Sequence, residues 1–453
     1  MHTRRLFGTS GIRGVVYHDL SPDCCRQIAS AIGTTLPPTS KICIGTDTRI
    51  SRDVIKEAIT AGLLSCSINV ADLGILPTPA LALITRESGF TAGIMVTASH
   101  NPPEFNGVKL FNGNSLGYDE AKESEIEEIY FTQKFRQGKT GTLEQVHDIK
   151  QRYLSFIKGK LSLPGANHRL KVVVDPSNGA ASKFATDIFV QMGFDVIPVN
   201  DEPNGLFPSR SPEPKDDTLL DTVSLLRRHN ADLAICFDGD ADRVVFCDKE
   251  GFLGFNEPIA FMSRLAVKRT GRNKIATTIE TGTLLDLAVN DLGVEVVRGR
   301  VGDVAVAHLT RDLDAALGVE QVGIYIIPEA GYYPDSIFAS LILLGQLNDA
   351  GEIRQFFQGI PRLFYEKAKV FCPDELKESV MARANEKAHL FTPDAINTLD
   401  GLRLEFPDSW VLIRASGTEP VVRVISESTS QTQTDELISK GKKLVQSLVE
   451  ASR

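Results

Sequence analysis

The stretch KVVVDPSNGAASKFATDIFVQMGFDVIPV, residues 171–199, contains one complete strand–helix–strand unit. An apolar strand at 171–175 leads into a loop rich in Pro, Ser and Gly at 176–180, and a helix then runs to Gly193. A second strand follows at 195–199. Apolar strands that alternate with amphipathic helices ending at glycine are typical of βαβ units in mostly parallel sheets.

Two further stretches, at 41–71 and 274–297, have the same strand–helix–strand pattern. The copies lie roughly a hundred residues or more apart, which is too far for a short-repeat solenoid. The sequence therefore predicts an α/β fold with three similar domains, each containing a mixed, mostly parallel sheet.

After about residue 366 the pattern changes. Strands at 401–406, 410–414 and 421–426 follow one another, and helices at 376–388 and 434–451 flank them. Successive strands with flanking helices predict a small C-terminal α+β domain with an antiparallel sheet. The 453 residues then divide into four domains, at 1–150, 151–251, 252–365 and 366–453.

Composition excludes several classes of protein. Hydrophobic residues at 42% and charged residues at 24% are ordinary for a globular protein, and the net charge of −9 argues against nucleic acid as a partner. Seven cysteines without a CxxC pair fit a reducing compartment. The N-terminus lacks the apolar core of a signal peptide, and apolar stretches such as 337–344 are too short to span a membrane. We expect a cytoplasmic protein without a membrane partner.

Three acidic residues, Asp238, Asp240 and Asp242, follow the apolar run at 233–237. Carboxylates this close repel one another, and a divalent cation relieves the repulsion; an all-oxygen ligand set suits Mg²⁺. Arg243, directly behind them, is placed to hold an anion that the metal also contacts. The segment predicts a magnesium site that handles phosphate.

Two other interpretations of this acidic segment compete with a magnesium site. The three aspartates match the first acidic positions of an EF-hand loop, but Arg243 and Lys249 stand where that loop needs Gly and Glu. A solvated acidic turn after a strand is the remaining alternative, because Asp and Gly are common in turns.

Ser99 lies on a loop at 98–107 that two prolines stiffen and that apolar strands flank on both sides. This favours a nucleophile or phosphate carrier in fixed geometry, although capping its own backbone is the commoner role of such a serine. The G-x-S-x-G sequence of many hydrolases is absent. Lys109 on the following strand either faces the same opening or is a solvated lysine.

A second loop rich in hydroxyl groups, at 414–420, lies between Arg414 and Arg423. Its hydroxyls, the backbone N–H groups at its glycine and the two guanidiniums predict an anion-binding nest; a hairpin turn with incidental arginines is the alternative. A P-loop sequence and a zinc-ligand spacing are both absent. The Gly/Ser-rich stretch at 7–14 carries Arg13.

Four motifs in this order resemble the α-D-phosphohexomutase family, which includes phosphoglucomutase/phosphomannomutase and phosphoglucosamine mutase. They are FGTSGIRG at 7–14, TASHNPPEFNGVKL at 97–110, DGDADR at 238–243 and RASGTEP at 414–420. The resemblance covers essentially the whole chain, and the first motif is most similar to the prokaryotic, archaeal-type branch. It implies a heart-shaped molecule of four domains, each lending one loop to a central cleft.

The resemblance also implies an activity and its residues. The enzyme would be an intramolecular phosphotransferase that interconverts a hexose or hexosamine 1-phosphate and 6-phosphate, through a phosphoserine and a 1,6-bisphosphate intermediate. It would use Mg²⁺, a hexose 1,6-bisphosphate as activator and a small sugar phosphate as substrate, and would be a monomer or homodimer. The implied residues are Ser99, His100, Lys109 and Arg13 for catalysis; Ser99, Asp238, Asp240 and Asp242 for the metal; Arg243, Asp303, Glu320 and Gln321 for the substrate; and Arg414, Ser416, Gly417, Thr418 and Arg423 for its non-reacting phosphate.

The sugar-selecting loop departs from the family's Gly-Glu-x-Ser/Asn-Gly, since residues 319–323 are Val-Glu-Gln-Val-Gly. Val322 cannot bind a sugar hydroxyl, Ile324 follows where some relatives carry His, and Ser336 replaces a glycine. Because polar contacts in a pocket discriminate strongly, the sugar stays open. Two alternatives to a mutase remain: a non-catalytic sugar-phosphate binding protein, and a metal-dependent phosphatase with an Asp nucleophile, whose usual Asp-x-Asp-x-Thr/Val pattern is not met.

Overall fold

The computed structural model describes residues 6–161, 170–417 and 419–452. Its first sheet has six strands in the order β1-β5-β4-β2-β3-β6, of which β4, β2, β3 and β6 are parallel and β1 and β5 antiparallel to their neighbours. The strands are β1 (Ile12–Val15), β2 (Lys41–Thr46), β3 (Asn69–Ile75), β4 (Ala92–Val96), β5 (Phe105–Asn112) and β6 (Leu143–Gln145). The helices are α1 (Pro22–Thr35), α2 (Arg52–Ser65), α3 (Thr78–Glu87), α4 (Glu120–Thr132) and α5 (Ile149–Lys160).

The next part of the chain forms a four-stranded sheet in the order β10-β9-β7-β8. Its strands are β7 (Lys171–Asp175), β8 (Asp195–Pro198), β9 (Leu233–Phe237) and β10 (Val244–Cys247), and its helices are α6 (Phe184–Gln191) and α7 (Leu220–Arg228). The first three strands are parallel and β10 is antiparallel to β9. The strand–helix–strand unit predicted at 171–199 is therefore confirmed as β7, α6 and β8.

A second four-stranded sheet follows, in the order β12-β11-β13-β14. Its strands are β11 (Lys274–Thr278), β12 (Glu295–Gly299), β13 (Leu317–Glu320) and β14 (Ile324–Ile326). The accompanying helices are α8 (Asn256–Thr270), α9 (Leu284–Val289), α10 (Asp303–Asp312), α11 (Ser336–Gln346) and α12 (Glu352–Phe357). A short 3₁₀ turn at Asn290–Leu292 extends α9.

All three sheets share one four-stranded unit, because β5-β4-β2-β3 has the same order and strand directions as β10-β9-β7-β8 and β14-β13-β11-β12. In each, the last parallel strand turns back into an antiparallel strand. These three turns carry the predicted phosphoserine, metal and sugar loops. The prediction of three similar α/β domains with mixed, mostly parallel sheets is confirmed.

The C-terminal sheet has five strands, all antiparallel, in the order β15-β19-β18-β17-β16. They are β15 (Phe364–Phe371), β16 (Ala395–Asn397), β17 (Leu402–Phe406), β18 (Ser409–Ala415) and β19 (Val421–Ser428), with helices α13 (Asp374–Glu386) and α14 (Gln431–Glu450). The sequence predicted β17, β18 and β19 but not the two edge strands. Most β15 side chains are partly or fully exposed, so this strand lacks the apolar signal of a buried one.

One apolar cluster joins the three α/β domains. It includes Leu81 of α3, Ile235 of β9 and Tyr325 of β14, all buried. A separate cluster fills the C-terminal domain between its sheet and α14. Within the described ranges, no helix combines the length and apolar character that crossing a bilayer requires.

Candidate active site

The turns of the first three domains meet at one place. Ser99, on the turn after β4, donates a hydrogen bond to Asp238 Oδ2 on the turn after β9, with 2.6 Å between the oxygens. The N–H of Val244 donates to the carbonyl of Gly323, on the turn after β13, at 2.9 Å. Equivalent turns of three related sheets therefore contact one another directly.

Ser99 is fully buried and adopts a left-handed backbone conformation, with φ 51°. Its N–H donates to Thr97 Oγ1 at 2.9 Å, and its Oγ lies 3.3 Å from His100 Nδ1. A non-glycine residue at positive φ is unfavourable and persists where its surroundings determine it. The loop therefore holds the serine in one orientation, with its hydroxyl toward Asp238.

The three aspartates of the acidic segment are buried, and one oxygen of each lies within 4.8 Å of the others. Among the described residues, Asp240 Oδ1 and Asp242 Oδ1 have no hydrogen-bond partner. Burial, together with the charges of Asp242 and Asp240, raises the pKa of Asp238 well above its usual value. Buried carboxylate oxygens without partners fit a hard divalent cation, so these residues suit Mg²⁺.

The backbone of the acidic segment is fixed by hydrogen bonds from other parts of the chain. Ala241 has a positive φ of 58°. Four backbone carbonyls between 237 and 241 accept hydrogen bonds from other parts of the chain. The pairs are Phe237 with Arg210 Nη2 at 2.7 Å, Gly239 with the Ala180 N–H at 2.9 Å, Asp240 with the Thr78 N–H at 2.9 Å and Ala241 with Ser336 Oγ at 2.6 Å. Ser336, which replaces the family's glycine, therefore supports the loop from the third domain.

Lys109 is the cation closest to the acidic segment. It is 4% exposed and donates to Asp240 Oδ2 at 2.6 Å and to Asp242 Oδ2. Burial alone would lower the pKa of Lys109, but the two carboxylates together raise it. The ammonium therefore stays charged at physiological pH.

Two arginines and a histidine line the same place. The Nε atoms of Arg13 and Arg243 are buried and have no hydrogen-bond partner among the described residues, while Arg13 Nη1 donates to Asn101 Oδ1 at 3.0 Å. Burial, with the charges of Arg243 and Arg13, lowers the pKa of His100 to about 2. His100 is therefore a neutral imidazole beside two fixed cations, a combination that suits a bound anion.

The sugar loop places Glu320 in the interior, 6% exposed, where its Oε1 accepts the N–H of Gly302 at 2.8 Å. Burial and the negative charge of Asp303 raise the pKa of Glu320 to about 7, with a smaller contribution from Glu280 and an opposing one from Arg243. Burial also raises the pKa of Asp303, whose Oδ2 lies 3.4 Å from Ser10 Oγ. Two acids thus lie close enough for the charge of Asp303 to raise the pKa of Glu320.

We predict that Glu320 makes the protein less stable as pH rises. Its pKa of about 7 when folded exceeds the ordinary value of 4.5, so the folded state binds more protons than the unfolded chain between these values. Stability should therefore fall across this window, by about 3 kcal/mol for a shift of this size. In Glu320→Gln this part of the dependence should vanish, as measured by urea unfolding at several pH values. The exposed Glu128→Gln is the control; an unchanged pH dependence in Glu320→Gln would contradict the assignment.

Gln321 connects the sugar loop with the C-terminal domain. Its side-chain amide contacts Asn256 Oδ1 at 2.6 Å and the hydroxyl of Tyr365 in β15 at 3.2 Å. Val322, the apolar replacement in this loop, packs against the cluster that contains Ile326. The family resemblance implies that Gln321 contacts the sugar, and the structure adds that its amide lies between the third and fourth domains.

The predicted phosphate residues lie at the turn after β18. Arg414 is buried between the carboxylates of Glu280, at 3.2 Å, and Asp400, at 3.0 Å. Arg423 Nη2 donates to Glu419 Oε2 at 3.1 Å, and Lys369 and Arg423 lower the pKa of Glu419. Ser416 Oγ accepts the Glu419 N–H at 3.2 Å. Arg414 thus joins the third and fourth domains, while Arg423, on β19, bonds to a residue of the loop.

Gly417 and Thr418 are the other two residues predicted to bind the phosphate. Gly417 is exposed, and a Cβ added to it would lie 3.9 Å from Thr9 Cγ2 of the N-terminal motif. This part of the loop therefore lies beside the N-terminal motif. Thr418 lies outside the described residues.

A buried serine hydroxyl, an acidic triad that suits Mg²⁺ and several fixed cations fit a phosphoryl-transfer enzyme. Four family models described as phosphoglucomutase/phosphomannomutase alpha/beta/alpha domains I, II and III and C-terminal domain match residues 4–137, 151–251, 257–362 and 368–440. The chain belongs to the phosphoglucomutase/phosphomannomutase family, the α-D-phosphohexomutases.

Individual relatives agree with this assignment. A Pyrococcus horikoshii protein named "Probable phosphoglucosamine mutase" is 37% identical over 98% of both chains. A Thermococcus kodakarensis protein named "Phosphoglucomutase/phosphomannomutase" is 33% identical, also over 98% of both chains. The crystal structure of a phosphoglucomutase/phosphomannomutase family protein from Burkholderia thailandensis superposes with a TM-score of 0.87 at 25% identity, covering 98% of this chain and 97% of that one.

Proposed function

We propose that this phosphohexomutase uses Ser99 as its phosphoryl carrier. The observation that supports this most directly is the buried Ser99 Oγ at 2.6 Å from Asp238, with Lys109, Arg13 and Arg243 around it. Phosphoryl transfer needs positioning and neutralised oxygen charge, and the site offers both. The bond between phosphorus and Ser99 Oγ would break as phosphorus bonds to a sugar hydroxyl oxygen, and the proton of that hydroxyl would pass to Ser99 Oγ. The resulting bisphosphate would then transfer its other phosphoryl group to Ser99 Oγ, and the proton of Ser99 would pass to the sugar oxygen that this group leaves, which regenerates the phosphoserine.

The charged residues around Ser99 would have different roles. Asp238, Asp240, Asp242 and Ser99 would hold Mg²⁺, which when bound supplies positive charge to the phosphoryl oxygens. Lys109 keeps its proton, so it would neutralise charge rather than act as a base. Arg13 and Arg243 would bind phosphoryl oxygens through their unpartnered N–H groups. A hexose 1,6-bisphosphate would serve as activator by phosphorylating Ser99.

For the substrate we propose glucosamine phosphate, with glucose and mannose phosphates as the alternative. Burial raises the pKa of both Glu320 and Asp303, and the negative charge of Asp303 further raises the pKa of Glu320. A bound ammonium group beside them would stabilise their charged forms. Glucosamine carries an ammonium group, whereas glucose and mannose carry a hydroxyl. The names of the relatives include both kinds of substrate, with phosphoglucosamine mutase at the higher identity.

The test is to follow conversion of the 1-phosphates of glucosamine, N-acetylglucosamine, glucose and mannose with Mg²⁺ and catalytic glucose 1,6-bisphosphate. We expect glucosamine 1-phosphate to have the highest kcat/KM, by on the order of tenfold or more over its N-acetyl derivative, which lacks the charge. Faster conversion of glucose or mannose would overturn the assignment of the sugar. Binding by calorimetry without turnover of any of them would favour a non-catalytic binding protein.

A further inference from the structure

Arg49, on the turn after β2, is fully buried and uses every N–H of its guanidinium. Four of its five bonds go to carbonyls of the segment 99–105, which begins with Ser99. The bonds are Nε to Asp47 Oδ2 at 3.0 Å, Nη1 to the carbonyls of Pro102 at 2.5 Å and Phe105 at 2.8 Å, and Nη2 to those of Ser99 at 2.9 Å and Asn101 at 2.6 Å. A guanidinium has five such donors, so this one is saturated.

Asp47, which forms the ion pair with Arg49, fixes the N–H of Ser99 through Thr97. Asp47 Oδ2 accepts the hydroxyl of Thr97 at 2.7 Å, and Thr97 Oγ1 in turn accepts the N–H of Ser99 at 2.9 Å. Asp47 Oδ1 accepts the Arg49 N–H at 2.9 Å. Both backbone polar groups of Ser99 are therefore attached to one buried ion pair, directly or through Thr97.

We propose that Arg49 is a positioning residue for phosphoryl transfer, which rests on the proposed role of Ser99. Its guanidinium fixes the carbonyls of the loop, and thereby the left-handed backbone that directs the Ser99 hydroxyl toward Asp238. Ser99 lies in neither of the flanking strands, so no sheet ladder does this instead. A reacting atom displaced by about 1 Å typically costs about 10²-fold in rate.

A lysine at position 49 would not reproduce the planar geometry of the guanidinium. A lysine ammonium has three donors on a flexible stem, so it can pair with Asp47 or bind some carbonyls, but not all five acceptors at once. Arg49→Lys keeps the buried charge and most of the volume. It therefore changes loop positioning with little change in charge balance.

The chain offers a matched control in Arg136. Its guanidinium also binds a set of backbone carbonyls in the first domain, those of Gly33, Leu36 and Cys66 at 2.5–3.1 Å. These partners belong to the ends of α1 and α2 and the residues after them, not to a site loop. Arg136→Lys removes the same kind of interaction and leaves the positioning of Ser99 unchanged.

The experiment compares Arg49→Lys, Arg136→Lys and wild type by steady-state kinetics, by single-turnover transfer from phosphorylated Ser99 to the sugar phosphate, and by thermal unfolding. For Arg49→Lys we expect kcat and the single-turnover rate to fall together by about 10²-fold with KM within a few-fold. For Arg136→Lys we expect both rates within about twofold of wild type although the melting temperature falls. Wild-type kcat in folded Arg49→Lys, or an equal loss in Arg136→Lys, would overturn the proposal.

A second variant and a second measurement separate this proposal from the assignment of Ser99. Thr97→Val keeps the shape of the side chain but removes the acceptor of the Ser99 N–H, so it should slow transfer in the same way if Arg49→Lys does not fold. Amide hydrogen exchange of peptides covering 97–106 needs no activity, and it should be faster in Arg49→Lys than in Arg136→Lys. If wild type forms no phosphoserine, the proposed function fails, while equal exchange in the two variants refutes the positioning role.

Discussion

Replacing Ser99 by alanine should reduce interconversion of sugar 1- and 6-phosphates by on the order of 10⁴-fold or more, because the oxygen that carries the phosphoryl group is lost. The fold should survive, since within the described part of the chain the hydroxyl bonds only to Asp238 and His100, while Arg49 and Thr97 hold the backbone. Intact-protein mass after incubation with glucose 1,6-bisphosphate should show one added phosphate on wild type and none on Ser99→Ala. A coupled assay of product 6-phosphate gives the rate.

Ser115→Ala is a matched control for this prediction. Ser115 is also fully buried at positive φ, 65°, in the first domain, and its hydroxyl donates to the carbonyl of Ala82. Its replacement should reduce stability but leave turnover close to wild type. A phosphatase with an Asp nucleophile would release inorganic phosphate from the sugar at an undiminished rate in Ser99→Ala, and that result would refute the mutase mechanism.

The phosphoserine and acidic motifs could be located from the sequence because each follows a strand whose apolar pattern is clear. Ser99 follows β4, Asp238 follows β9 and Glu320 ends β13, which are the equivalent parallel strands of three related sheets. From the sequence, the meeting of these loops was only implied by the family resemblance; the structure adds a reason, because related sheets present equivalent turns in related ways. The edge strands β15 and β16 were missed because an exposed strand need not be apolar.

No sequence pattern identified the residues that support the site loops. Arg49 lies fifty positions before Ser99, Arg210 lies before the metal loop, and Ser336 reaches Ala241 from a later domain. A lone arginine or serine in a loop is usually solvated, and only tertiary structure shows which carbonyl it binds. One local hint existed for Arg49, since Asp47 two residues earlier lies at the carboxyl end of a buried strand.

The arrangement of Arg414 shows a different limit of sequence reasoning. Its motif predicted a cation for the substrate phosphate, but its two carboxylate partners, Glu280 and Asp400, both lie outside the motif, and Glu280 belongs to another domain. Spacing within a motif gives no information on such partners. A charged residue in a binding motif can equally hold two domains together, and Arg414 joins the third and fourth.

Replacing Lys109 by methionine should destabilise the metal-free protein by about 3–5 kcal/mol, the usual cost of removing one partner from a buried ion pair. Methionine keeps most of the length and apolar volume, so packing changes little. What remains is a buried acidic segment without the ammonium that bonds to Asp240 and Asp242. Activity should also fall, by on the order of 10²-fold or more, because a charge beside the transferred phosphoryl group is lost.

Magnesium should restore more stability to Lys109→Met than to wild type. In wild type the ammonium already neutralises Asp240 and Asp242, whereas in the variant a bound cation would be the group that neutralises them. The measurement is the melting temperature in EDTA and in millimolar Mg²⁺. Lys56→Met, which breaks the partly buried pair with Asp72 elsewhere in the first domain, is the control and should respond to Mg²⁺ as wild type does. An equal Mg²⁺ response in wild type and Lys109→Met would show that Lys109 does not balance the charge of the acidic segment.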